Sequence, residues 1–358
     1  MKPYTYVSLF SSAGVGCFGF KEEKYDCVLT NELVERRMEV QKCNAKCSDP
    51  RGYLCGDITD PEIQKYALNY INEYKQNKKL KDIDVVVATP PCQGMSVANH
   101  KKAKDEIIRN SLVLEAIHLI SLIKPKVFIF ENVSAFMNTK CGKEGQERKI
   151  SEAIHEELDD LYKFESKIIN FKDYGAHSSR SRCLVLGVRK DVHLNIDDLW
   201  PSKENSKTMR DLIYSLPRLK IMGESYKSDI YHNFKSYKSH MRDWIKDLKP
   251  GENAFDNLDP LKRPHQIKDG ILIPNVNKNG DKYSRQIWDK TPPCIHTRND
   301  ILASQNTVHP EDDRVFSLRE LMIFMNIPEN FKWTNHTLSE LNELNEIERK
   351  AYLKKHEV

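Results

Sequence analysis

Cys92 lies in the stretch Asp84-Val-Val-Val-Ala-Thr-Pro-Pro-Cys-Gln-Gly-Met-Ser96, which opens as an apolar run stopped abruptly by Pro90 and Pro91. Consecutive β-branched and small apolar residues read as a strand buried on both faces, of the parallel kind. A thiol just past the carboxyl end of such a strand stands where open α/β sheets collect their ligands. Cys92 is therefore a candidate nucleophile; the competing reading is an inert thiol packed as a small hydrophobe. A carboxyl follows at the next strand end, where Val127-Phe-Ile-Phe130 runs into Glu131-Asn-Val133. If those two strands are neighbours, Cys92 and Glu131 face one crevice. Arg180 and Arg182 alternate on an extended segment that leads into Cys183-Leu-Val-Leu-Gly-Val-Arg189, which puts both on one face. A nucleophile, a proton carrier and two cations at one sheet edge are the parts of an acid-assisted covalent reaction.

A second constellation lies nearer the amino terminus. An apolar strand from Tyr4 to Phe10 runs into Ser11-Ser-Ala-Gly-Val-Gly-Cys-Phe-Gly-Phe20. Gly14, Gly16 and Gly19 give the G-x-G-x-x-G spacing of a loop whose backbone approaches a cofactor at a helix amino end. The strand Tyr25 to Thr30 ends at Asn31-Glu32, and a third unit ends in Gly56-Asp-Ile-Thr-Asp60. Glu32 is thus available to a ribose hydroxyl and Asp57 to an adenine amino group. Two carboxylates beside a glycine loop suit an adenosine bearing a sulfonium better than a pyrophosphate, which tilts the cofactor from NAD toward S-adenosylmethionine. Helix capping or surface charge stands as the alternative for each carboxylate.

The elements that position these groups alternate strand with helix through position 189: an amphipathic helix over Pro61 to Lys81, another over Leu112 to Ile123, then a strand from Lys163 to Asn170. That alternation predicts a doubly wound α/β sheet. After Cys92 the chain turns small and basic through Ser96, Lys101, Lys102 and Arg109, either a loop that closes on a phosphate backbone or a solvated face. Beyond about Lys190 the periodicity fades, and Tyr226, Tyr231, Phe234, Tyr237 and Trp244 mix with Lys238 and Arg242. Such a mixture suits nucleic-acid contact and equally an ordinary small domain. An amphipathic helix from Leu318 to Met325 and a charged terminal helix capped by Ser339 complete the chain. Three segments are expected: 1–189 as the catalytic domain, 190–313 as a smaller, mostly irregular or β domain, and 314–358 linking back to the first.

With 358 residues, 39% hydrophobic and 30% charged, the chain has the composition of a folded globular protein rather than a disordered one. A net charge of +4 permits a polyanion partner without demanding one. Nine cysteines without regular spacing indicate free thiols in a reducing compartment, and no apolar segment approaches the roughly 18 residues of a membrane span. A cytoplasmic, nucleoid-associated protein is expected. Cys43, Cys47 and Cys55 lack a fourth ligand at zinc spacing, so no metal is expected.

Taken together, these residues resemble the DNA cytosine-5 methyltransferases. Leu9-Phe-Ser-Ser-Ala-Gly-Val-Gly16 is similar to that family's first motif, Pro91-Cys-Gln93 to its nucleophile motif, and Glu131-Asn-Val133 to its acid motif. Arg180-Ser-Arg182 is similar to its arginine pair, and Arg314-Val-Phe-Ser-Leu-Arg-Glu320 with Ile327-Pro328 to its ninth block, all in the family's order. The resemblance implies a methyltransferase of restriction-modification type acting on double-stranded DNA, with 190–313 as target recognition domain. It implies that Cys92 adds to cytosine C6, that Glu131 serves N3, and that Arg182, with Arg180 in support, serves O2. It puts Phe10, Gly14, Gly16, Glu32, Asp57, Ile58, Pro91 and Leu112 at the S-adenosylmethionine site, and Gln93, Ser96, Lys101, Lys102 and Arg109 at the DNA. The target base must leave the stack for any of this to happen. Ser8 and Ser12 depart from the first motif's Asp and Gly, and Ser178 stands where a Gln commonly precedes the arginine pair. The family's closing block is not recognised after Trp333: either the chain is cut short or a second polypeptide carries the block, and weak cofactor binding by this chain alone is expected. A tRNA cytosine-5 methyltransferase and a DNA-binding subunit dependent on a partner are the alternatives.

Overall fold

The computed structural model describes residues 3–91, 110–142, 146–276 and 280–356. Their contacts divide into two units: 1–170 with 181–202 and 332–335, and 171–180 with 203–331 and 336–358.

The first unit is built on seven strands: β1 (Thr5–Leu9), β2 (Asp26–Glu32), β3 (Tyr53–Cys55), β4 (Val85–Ala88) and β5 (Val127–Asn132), then, after the two-residue pair β6 (Lys140–Cys141) and β7 (Arg148–Lys149), β8 (Tyr162–Asn170) and β9 (Ser181–Arg189). The large sheet runs β3-β2-β1-β4-β5-β9-β8, with β6 and β7 pairing apart from it. Strands β1 to β5 are parallel, and β9 enters antiparallel to β5 and β8. This is the doubly wound α/β architecture that the strand and helix alternation predicts. All four residues of β4 are buried, as a strand covered on both faces requires.

Alternation along the strands divides the core. Val7, Leu9, Val86, Ala88, Phe128 and Phe130 pack with the helices Pro61–Lys78, Leu112–Ile123 and Ile150–Leu158. Tyr6, Val85, Val87 and Val127 cluster instead with Cys17, Cys27 and Cys47. Helix ends follow local chemistry. Asp60 accepts the Glu62 N–H at 2.9 Å ahead of Pro61, and Lys124, left-handed at φ 52°, ends the helix before Pro125. The strand order reverses between β1 and β4, so the crevice beyond their carboxyl ends is the ligand position such sheets offer.

The second unit is mostly irregular, with one hairpin, β10 (His265–Lys268) and β11 (Ile271–Pro274). Phe234, Trp244, Ile245, Tyr283, Leu302, Val308 and Val315 form its core. A buried charge network braces it: Arg314 grips both oxygens of Glu320 at 2.8 Å, and Glu320 also accepts the Ser317 N–H at 2.7 Å. Burial opposes the Glu320 charge, but the Arg314 guanidinium outweighs it and holds the carboxyl down at about 2.

Segment 314–331 groups with this second unit, because Leu318 and Arg319 donate their N–H groups to Asn233 and Tyr231 carbonyls at 3.0 and 2.8 Å. The terminal segment corrects one expectation. Ser339 is not the cap: Thr337 is, its hydroxyl accepting the Glu340 N–H at 3.3 Å and the Glu340 carboxylate accepting the Thr337 N–H at 2.6 Å at the start of helix Leu338–Glu343. Ser339 stands one turn position inside, where its oxygen has no first-turn N–H to meet in that way. A separate helix, Glu346–His356, follows. No helix among the described residues is long and apolar enough to cross a membrane.

Candidate catalytic and cofactor site

The crevice is assembled from strand ends. Strands β4 and β5 are adjacent and parallel, Ala88 opposite Phe130. Glu131 and Asn132 therefore project just past the end of β4. Asn132, 3% exposed, donates its side-chain N–H to the Pro90 carbonyl at 2.9 Å and accepts the Val133 N–H at 2.8 Å. The chain is thus tied down two residues before Cys92. Across the β5–β9 pair, Arg182 Nε is 3.1 Å from Glu131 Oε1, and Arg182 Nη1 donates to the Ser181 carbonyl at 2.7 Å. Arg180, just ahead of β9, groups with the second unit, where its guanidinium reaches Cys294 Sγ at 3.5 Å. Cys92, Gln93, Ser96, Lys101, Lys102 and Arg109 lie outside the described residues.

The cofactor loop leaves β1 at the switch point. Phe10 and Ser12 are left-handed, at φ 57° and 48°, as is Gly14 at φ 82°. Thr89, following β4, donates its hydroxyl to the Phe10 carbonyl at 3.0 Å and its N–H to the Leu9 carbonyl at 3.2 Å, which ties the two strand ends together. Glu32, the last residue of β2 and 5% exposed, accepts the Ser12 N–H on Oε2 at 2.8 Å and the Val34 N–H on Oε1 at 3.0 Å. The sequence offers Glu32 as a ribose ligand, with capping or surface charge as the alternative; the structure shows it pinning the glycine loop. Oε1 also lies 3.4 Å from Arg37 Nη1, and Oε2 keeps a second lone pair for an incoming hydroxyl. Asp57, exposed beyond β3, accepts both the N–H and the hydroxyl of Thr59 at 2.9 Å, while Ile58 is buried. Pro91 and Leu112, at the end of β4 and the start of helix Leu112–Ile123, are half-buried. Gly16 has open space where a side chain would begin.

Phe10, Gly14 and Glu32 are therefore connected through one bonded loop, and Glu131 and Arg182 through an ion pair. The three zinc-tempting thiols are not brought together: Cys47 contacts Cys27 at 3.5 Å, Cys43 donates to Asn335 Oδ1 at 3.0 Å, and Cys55 is exposed. Sequence reasoning missed Asn132 and Thr89 as groups that tie the strand ends. Asn132 carries a signal, being polar at the end of an otherwise apolar strand.

Comparison with known proteins gives the chain's relatives. The profile of the family described as C-5 cytosine-specific DNA methylase matches residues 4–343. The type II methyltransferase M1.HgaI of Avibacterium volantium is 27% identical over 343 residues, covering 92% of this chain and 90% of that protein. The type II methyltransferase M1.HphI of Haemophilus parahaemolyticus is 26% identical over 329 residues, covering 91% and 78%. Among solved structures, an Escherichia coli prophage-encoded protein described as a DNA modification methyltransferase superposes with a TM-score of 0.61 at 17% identity, covering 94% of this chain and 91% of that one. The Dnmt2 methyltransferase of S. pombe superposes with a TM-score of 0.55 at 14% identity, covering 95% and 91%.

Proposed function

The chain belongs to the C-5 cytosine-specific DNA methylases, and from that premise we propose how its own residues divide the work of methylating cytosine C5 in DNA. Cytosine C5 is too weak a nucleophile to take a methyl group directly. The Cys92 thiolate adds to C6 and makes the ring an enamine. Negative charge then gathers at N3 and O2. Glu131 protonates or hydrogen-bonds N3, and Arg182 stabilises O2 with Arg180 in support. After C5 has been methylated, loss of its proton and of Cys92 restores the aromatic ring. The observation that carries this assignment is the pairing of Glu131 with Arg182 at 3.1 Å, beside the Asn132 bond that fixes Pro90.

S-adenosylmethionine, the family's methyl donor, supplies an electrophilic sulfonium methyl when bound. The donor set fits it: Glu32 and Asp57 present carboxylates to a molecule with ribose hydroxyls, an adenine amine and a positive charge, and Phe10 presents an aromatic face. Pro91, Ile58 and Leu112 complete the apolar walls. No metal is assigned a role. The flipped cytosine comes from double-stranded DNA, and base flipping costs a few kcal/mol; Gln93, Ser96, Lys101, Lys102 and Arg109 contact that DNA, and the second unit reads its sequence. The type II relatives suggest a restriction-modification setting.

The test is a trap. Incubation with S-adenosylmethionine and duplex DNA carrying 5-fluorocytosine, whose C5 has no proton to lose, should leave a covalent protein–DNA adduct in denaturing electrophoresis. Cys92→Ser should form none. An adduct with Cys92→Ser removes the nucleophile assignment.

A further inference from the structure

The loop after β1 passes through three left-handed residues, of which Phe10 and Ser12 are not glycine. Such backbone persists only where its surroundings over-determine it. At Ser12 the chain is held on both sides. Its N–H donates to Glu32, and its carbonyl accepts from Gln41 Nε2 at 2.6 Å. Gln41, 1% exposed on helix Glu35–Cys43, uses its other amide N–H on Ser11 Oγ at 2.8 Å. Ser11 in turn gives its proton to the Asn31 carbonyl at 2.9 Å.

The orientation of the Gln41 amide follows from the partners on its two sides. Lys46 Nζ, a donor with no acceptor capacity, lies 2.9 Å from Thr30 Oγ1. Thr30 must accept there, which leaves its single proton shared between Gln41 Oε1 at 2.7 Å and Ser11 Oγ at 2.8 Å. The Ser12 carbonyl can only accept, so the amide nitrogen faces the loop. Gln41 also fills the underside of the turn, its Cγ 3.0 Å from where a side chain on Gly14 would begin.

We infer that Gln41 is the positioning residue of the cofactor loop: it clamps Ser12 in the left-handed conformation, so the loop is preformed before the methyl donor arrives. The inference rests on reading that loop as the S-adenosylmethionine site. Glycine takes a positive φ freely, so the clamp is needed because residue 12 is a serine.

A double-mutant cycle read by initial rates of methyl transfer to DNA tests it. Gln41→Leu, similar in size but unable to hydrogen-bond, should raise KM for S-adenosylmethionine about tenfold, the equivalent of about 1.4 kcal/mol. KM for DNA and kcat should stay within about twofold, because neither depends on loop preorganisation once the donor saturates. In the S12G background the same change should cost less than about threefold. Lys46→Met, which leaves Gln41 in place but frees the Thr30 proton, should move KM the same way by about two- to fourfold. Equal cost of Gln41→Leu in both backgrounds marks a merely structural residue and overturns the inference. An unchanged KM for S-adenosylmethionine, or an equal rise in KM for DNA, overturns it too. A wild-type chain that forms no 5-fluorocytosine adduct overturns the cofactor reading itself, and the inference with it.

Discussion

His309 sets an acid limit on the second unit. The imidazole is 2% exposed, and its Nδ1 accepts the backbone N–H groups of Asp312 at 2.9 Å and Glu311 at 3.2 Å. A proton on Nδ1 would meet two donors. Burial is the main force lowering its basicity, with the Arg314 charge adding to it against the pull of Glu320, and the pKa falls to about 4. In the unfolded chain the ring titrates near 6.5. The unfolded state therefore binds the extra proton: the stability this neutral ring contributes is complete above about pH 6.5 and is lost as pH falls toward 4. By pH 5 the loss is about 2 kcal/mol, and over the whole gap about 3 kcal/mol, at 1.36 kcal/mol per pH unit. Urea denaturation followed by tryptophan fluorescence at pH 7.5, 6 and 5, for the wild type and His309→Asn, measures it. The difference between the two profiles isolates His309 from the other histidines. We expect the variant to be less stable at pH 7.5 yet to lose about 2 kcal/mol less than the wild type on the way to pH 5. Parallel profiles would refute the reasoning.

Glu320→Gln removes the two-pronged carboxylate partner of the 2%-exposed Arg314 guanidinium but leaves it Asp312 at 3.1 Å, and should cost about 2–3 kcal/mol, read as a lowered denaturation midpoint at pH 7; a loss below about 1 kcal/mol would show the pair to be dispensable. Asn132→Asp keeps the acceptor for the Val133 N–H but loses the donor to the Pro90 carbonyl. Loosening the approach to Cys92 in this way should lower kcat by about ten- to a hundredfold, with DNA affinity by filter binding unchanged; an unchanged kcat would remove Asn132 from the positioning of Cys92.

What the sequence discloses of this protein follows from where each constraint originates. Strands β1, β4 and β5 are legible because burial on both faces leaves little room for polar residues. On the roles proposed for them, Glu131, Arg182 and Glu32 are legible because a substrate's atoms dictate the side-chain types at strand ends, and those types recur as short motifs. Gln41 is hidden because nothing about a substrate dictates it. Its helix, Glu-Arg-Arg-Met-Glu-Val-Gln-Lys-Cys, has little apolar period, and its buried residues are Met38 and Gln41. Their three-residue spacing puts both on one face, a signal visible only once Met38 is known to be buried. The capping of the terminal helix hides for a similar reason: Thr337 and Ser339 are both good cap types, and only the Glu340 contact separates them. Ser12 links the two layers. A serine in a turn that asks for a positive φ makes a local demand, and the residue that meets it lies 29 positions away in sequence. The reacting groups can therefore be read from a chain's chemistry, whereas the groups that keep them poised answer to this chain's own backbone and emerge only when that backbone is seen.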